Sequence, residues 1–169
     1  MEEKAYIQKR YWGTMTHTYY SMIYMQKYVF RAERLTKLVN IFLALVATGS
    51  VALWFKNYLT SLNWLWPILI ALSEIVHVAW PILNIEKVVP KIQKFVYLLN
   101  KYYTTLANDW LFVRNGSLTD EEINAKILEM DTTIDETEFD IFNGSQIPLS
   151  KRLLAEAEEE SNRHFEQNF

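Results

Sequence analysis

Residues 38–55 read LVNIFLALVATGSVALWF, eighteen positions without a charge. At about 1.5 Å per residue a helix of this length spans about 27 Å, close to the hydrocarbon thickness of a bilayer. A helical hairpin in water carries a polar stripe on each helix, and this stretch has none worth the name. Residues 65–83, LWPILIALSEIVHVAWPIL, form a second apolar run broken only by Glu74 and His77. The short polar connection KNYLTSLNW separates the two. The pattern predicts two transmembrane helices. The first begins too deep in the chain, and lacks the small-residue cleavage site, to be a secretory signal.

The flanks set a direction. Arg31, Arg34 and Lys37 precede the first run and Lys87, Lys91 and Lys94 follow the second, whereas the connection holds Lys56 alone. By the positive-inside rule both termini are expected in the cytoplasm. Trp54, Phe55, Tyr58, Trp64 and Trp66 would form the outer aromatic belt, and Trp80 would mark the inner one.

Outside these runs the chain alternates like packed helices. Trp12, Met15, Tyr19, Met22, Gln26 and Val29 step by three and four, as do Ile92, Val96, Leu99, Tyr103, Leu106, Trp110 and Val113. Two such heptad seams leaving one membrane face predict an antiparallel cytoplasmic stalk. Tyr20, Ile23, Tyr24 and Tyr28 fall on a second face, which asks for another copy of the chain or, alternatively, for the tail to fold back.

The 169 residues make one domain with a small appendage. Having no cysteine, the chain has no disulfide framework, thiol catalysis or common zinc site. The net charge of −3 divides into +7 over residues 1–115 and −10 over 116–169. This suggests an effector core over 1–115 and an acidic helical tail over 116–169 for regulation or assembly. In the tail, Thr119 and Glu122 form a capping-box pattern before the stripe Ile123, Ile127, Met130. Gly144 and Pro148 break the chain, and Ser150 can cap a last helix whose apolar residues are Leu153, Leu154, Ala157 and Phe165.

Enzyme signatures are missing: there is no glycine-rich phosphate loop, HExxH or GxSxG, and His17, His77 and His164 stand in unrelated segments. Neither catalysis, a cofactor nor a metal site is expected. The informative pair is Glu74 and His77, three apart in the second run, with Asn84 a heptad beyond His77. An ionised carboxylate in a bilayer costs about 2.5–3.5 kcal/mol on the mildest scale, so these groups should face other helices or water. Glu74 could ring a cation-attracting pore of a homo-oligomer, or sit protonated against His77 or Asn40 in a dry bundle. Asn40, Ala44, Thr48 and Ala52 recur every four residues. That spacing suits close packing at Ala44 and Ala52, with Asn40 and Thr48 as further pore-lining candidates. Arg31, Arg34, Lys87, Lys91 and Lys94 are candidates for anionic headgroups or a phosphate-bearing ligand.

A long helix ending in RAERL (residues 31–35), two closely spaced spans and a second long amphipathic helix together resemble the SLATT superfamily over residues 5–115. Its members are bacterial two-transmembrane effectors of anti-phage defence. The resemblance implies an all-α membrane protein that forms pores, depolarises the inner membrane and arrests growth. It also implies control by a nucleotide or oligonucleotide ligand made by a nucleotidyltransferase partner. The expectation is an all-α, two-span protein of the bacterial inner membrane, assembled as a homo-oligomer of four copies into a gated ion channel. A non-conducting anchor that recruits a cytoplasmic partner, or a holin-like toxin, is the alternative.

Overall fold

The computed structural model describes residues 2–47, 64–82, 85–143 and 149–169. They form five α-helices and, among the described residues, no strand: α1 Glu2–Ala47, α2 Leu65–Ile82, α3 Ile85–Arg114, α4 Asp120–Phe142 and α5 Lys151–Asn168. The chain is all-α. It divides into two compact units, residues 1–29 with 91–169 (unit 1) and residues 30–90 (unit 2).

Unit 1 has the core. On α3, Ile92, Leu99, Leu106 and Val113 are buried at an unbroken seven-residue interval. Val96, Tyr103 and Trp110 are half-buried between them. This is the expected seam. On α1, Met15, Met22 and Val29 are buried as expected, Trp12 and Tyr19 are half-buried, and Gln26 is exposed. The stripe also runs further toward the start of the chain, through Ile7 and Tyr11. Tyr11 is wholly buried, and its hydroxyl donates to the Leu106 carbonyl at 3.3 Å. Burial, aided by nearby Asp109, pushes this phenol far above its usual range, so it stays a neutral donor. Helix α4 adds Ile123 and Ile127 to the same cluster.

Local chemistry ends each helix. The Ser117 N–H bonds to the Phe112 carbonyl and the Gly116 N–H to that of Val113, with Gly116 at φ 69°. This is the Schellman arrangement, which satisfies the last carbonyls of α3 and needs a residue tolerant of positive φ. The capping box expected at the start of α4 is present: the Thr119 hydroxyl accepts from the Glu122 N–H, and the Glu122 carboxylate accepts from the Thr119 N–H at 2.8 Å. Those bonds hold the Glu122 carboxyl below its ordinary value.

Helix α5 lies on α1 and α3. Its buried stripe is Leu153, Ala157 and Ser161, and it ends in aromatic contacts. The His164 ring stacks on Tyr19 with centroids 4.2 Å apart, and its Nε2 is 2.6 Å from the Tyr103 hydroxyl. Phe165 and Phe169 set their rings against Trp12 at 5.2 and 5.6 Å. At the other end, the Ser150 N–H donates to the Tyr24 hydroxyl. The second face of α1, where Ile23 and Tyr24 are buried, is thus occupied by the chain's own tail. The sequence understated α5 because most of its contacts come from aromatic and imidazole rings at one end of a very polar helix.

Unit 2 is built from thinner stripes. Ala32, Thr36, Val39, Leu43 and Val46 of α1 are half-buried at steps of four and three. On α2 the corresponding stripe is Leu65, Leu69, Ser73, Val76 and Trp80. Pro67 falls in the first turn of α2, where a missing N–H is harmless, and Pro81 stands one residue before the helix ends. No described helix is by itself long and apolar enough to cross a membrane. One bent pair, Pro67–Ile82 with Ile85–Arg114, passes that test jointly, by length and composition only. Of the expected spans and belts, residues 48–55 with Thr48, Ala52, Trp54 and Phe55, then Tyr58, Leu83 and Asn84, and the Trp66 side chain lie outside the described residues, as do Gly144 and Pro148.

Two measurements test this account. Gly116→Ala should destabilise unit 1 by about 1–2 kcal/mol, because it forces a Cβ into the left-handed region. Gly13→Ala should do the opposite and stabilise by up to ~1 kcal/mol, since a Cβ there meets nothing within 4 Å. Denaturant melting followed by aromatic circular dichroism reads both.

Burial also holds the His164 imidazole below its ordinary value. The folded chain then binds this proton less readily than the unfolded chain. Stability is therefore full above about pH 6.5 and declines as pH falls through that value. The melting temperature should drop between about pH 7.5 and about pH 5.5, and by less in His164→Gln, which keeps an acceptor near Tyr103 without the titration. Equal slopes in the two proteins would refute the assignment.

Candidate functional site

Glu74, His77 and Asn40, the polar candidates within the apolar runs of unit 2, are all exposed. At 100° per residue the stripe Leu65, Leu69, Ser73, Val76, Trp80 occupies one side of α2. Glu74 falls on the opposite side and His77 borders the stripe; both are exposed. No hydrogen bond or ion pair links Glu74 to His77 or to Asn40 among the described residues. On α1, Asn40 and Ala44 are likewise exposed. Their predicted partners at spacing four, Thr48 and Ala52, lie outside the described residues, as does Asn84. Among the described residues, Ala44 and Glu74 thus stand outside the packed stripes of unit 2.

The one buried polar residue among those described on α2 needs no outside partner. The Ser73 hydroxyl donates to the Ile70 carbonyl of its own helix at 2.8 Å. Trp80, expected at the inner lipid–water boundary, is half-buried, and its indole N–H is buried without an acceptor among the described residues. The basic candidates are divided between the units: Arg31, Arg34 and Lys87 belong to unit 2, Lys91 and Lys94 to unit 1. Arg34 sets its guanidinium 5.7 Å from the centre of the Phe30 ring. Arg34, Lys87, Lys91 and Lys94 are exposed, and Arg31 is half-buried.

Unit 1 holds a feature that sequence reading missed. A cavity of about 590 Å³ lies between α1, α3 and α4. His17, Thr18 and Ser21 form one wall, Asp131, Asp135 and Glu138 another, and Phe95 with Leu99 lines its α3 side. The spacing of the three carboxylates, four and then three, was a readable sign that they share a face of α4. None of them is ion-paired among the described residues. No grouping of histidine and carboxylates suited to a metal ion occurs among the described residues. His17 makes no side-chain hydrogen bond to a carboxylate or hydroxyl among the described residues.

Comparison with family models, characterised proteins and solved structures finds no match to this chain.

Proposed function

We propose that this chain is a membrane protein whose unit 2 sits among lipid and further copies of itself and conducts ions past Glu74 and His77, with unit 1 as a water-facing helical bundle that governs it. One observation carries the reading. Every buried apolar side chain among the described residues belongs to unit 1, whereas Leu38, Ile41, Leu45, Ile68, Ile75 and Val78 of unit 2 are exposed. Apolar surface left in water forgoes roughly 25 cal/mol per Å², and lipid removes that penalty. The bent helix pair that passes the membrane test by length and composition adds weak support.

The same immersion makes Glu74 and Asn40 expensive unless other helices or water meet them. A carboxylate facing lipid costs about 2.5–3.5 kcal/mol, and copies packed around a wet axis avoid this. A ring of four copies is the assembly we favour. The basic residues flanking the apolar runs support cytoplasmic termini in a bacterial inner membrane. Depolarisation and growth arrest in anti-phage defence, under a nucleotide-type signal, are the role that the SLATT resemblance supports. A non-conducting anchor is the second reading, favoured by the well-packed unit 1 and its open carboxylate-walled cavity.

Membrane potential, followed with a voltage-sensitive dye in cells expressing the chain alone, separates the two. Wild type should depolarise the cells, and Glu74→Gln at equal membrane abundance should lose most of the effect or its cation preference. Absence of depolarisation by either protein would sink conduction by the unaided chain and leave the anchor.

A further inference from the structure

A second cavity in unit 1, of about 320 Å³, is lined by Gln8, Lys9 and Trp12 of α1, Trp110 and Arg114 of α3, and Phe169 just past α5. Its lining holds three aromatic rings and two cationic side chains, and no acidic side chain. The rings form one continuous surface. Trp12 lies 4.9 Å from Trp110 and 5.6 Å from Phe169, centroid to centroid. Both indoles are half-buried and Phe169 is exposed, so ring surface remains open.

The cations are placed to act with those rings. Lys9 precedes Trp12 by three residues and Arg114 follows Trp110 by four, so each charge stands one helical turn from an indole on the same face. Both are exposed, and neither makes an ion pair or hydrogen bond among the described residues. Gln8 commits its side-chain N–H to the Val113 carbonyl at 3.0 Å, which fixes its carbonyl oxygen as an acceptor at the rim.

We propose that this cavity binds a planar aromatic anion of about the size of one nucleoside monophosphate. The flat ring stacks on the indoles, an interaction that tolerates many ring systems. The anionic group meets the Arg114 fork and the Lys9 ammonium, and a guanidinium suits either phosphate or carboxylate. The volume, about 320 Å³, is near the lower end of the ~300–1,000 Å³ typical of small-molecule sites. The aromatic clustering alone would serve as the end of a core. Two cationic side chains, neither of them ion-paired among the described residues, stand one turn from the indoles with no acidic side chain lining the cavity, which a neutral core end does not need. The inference concerns unit 1 only and stands whether or not unit 2 conducts.

Calorimetric titration of the full chain in detergent micelles tests it. The probes are adenosine 5′-monophosphate and naphthalene-2-carboxylate, with adenosine and inorganic phosphate as half-ligands. At least one aromatic anion should bind saturably, and at least about tenfold more tightly than either half-ligand. Binding of the phosphate probe alone or the carboxylate probe alone identifies the preferred source of the anion. Arg114→Gln and Lys9→Gln, both at exposed positions, should each weaken the anion about tenfold while leaving weak adenosine binding unchanged; Trp110→Leu should weaken both. No saturable heat with either anion up to millimolar concentration, or affinities unchanged in Arg114→Gln and Lys9→Gln, would overturn the proposal.

Discussion

One continuous helix has to satisfy two surroundings. Residues 7–29 of α1 bury Ile7, Tyr11, Met15 and Met22 in the core of unit 1, while residues 30–47 leave Leu35, Leu38, Ile41 and Leu45 exposed. Backbone hydrogen bonding is indifferent to this change, because a helix satisfies its own N–H and C=O groups in water or in lipid. The side chains are not indifferent. A fully buried large apolar side chain gains about 1.5–3 kcal/mol over an exposed one. The first part of α1 obtains that gain from three other helices of its own chain. Among the described residues, the second part has the thin stripe of unit 2.

Much of the architecture was legible in the sequence because it is written in periods. The seven-residue repeat Ile92, Leu99, Leu106, Val113 announces a buried helix face by its spacing alone, and the Thr119–Glu122 capping box announces a helix start in the same way. Such patterns are local and their physics is local. What the sequence left open is which faces meet. Tyr20, Ile23, Tyr24 and Tyr28 demand a cover, but nothing in their spacing says whether it comes from another molecule or from residues 150–169. The answer lies in single long-range contacts, Ser150 on Tyr24 and His164 on Tyr19 and Tyr103, which have no periodic signature.

The candidate sites divide along the same line. Glu74 and His77 stand out in sequence because they are polar in an apolar run. That Glu74 turns away from the packed stripe of α2 while His77 borders it follows from helical geometry once Ser73 and Trp80 are placed on it. The two unit 1 cavities were harder to read. Each is walled by residues far apart in the chain, and composition alone makes Asp131, Asp135 and Glu138 a solvated face and Lys9 and Arg114 ordinary surface charges.

The charge asymmetry invites the idea that an acidic tail is held to a basic front half by electrostatics. The contacts argue otherwise. Lys27–Glu160 pairs α1 with α5, but Lys126–Asp109 reaches the opposite way, from the acidic half to a carboxylate of the basic one. Arg152–Glu156 and Arg163–Glu159 stay within α5. Pairs this exposed contribute at most about 1 kcal/mol each and weaken with salt. Burial of Leu153 alone outweighs such a pair, and the rings of His164, Phe165 and Phe169 add their contacts with Tyr19 and Trp12. Packing therefore holds the tail, and its charges are left to act on whatever lies outside it. Most of the −10 remains on exposed side chains of α4 and α5. An anion entering unit 1 is thus met by Lys9 and Arg114 against a negative surround, which makes the position of those two cations, rather than net charge, the determinant of where it can bind.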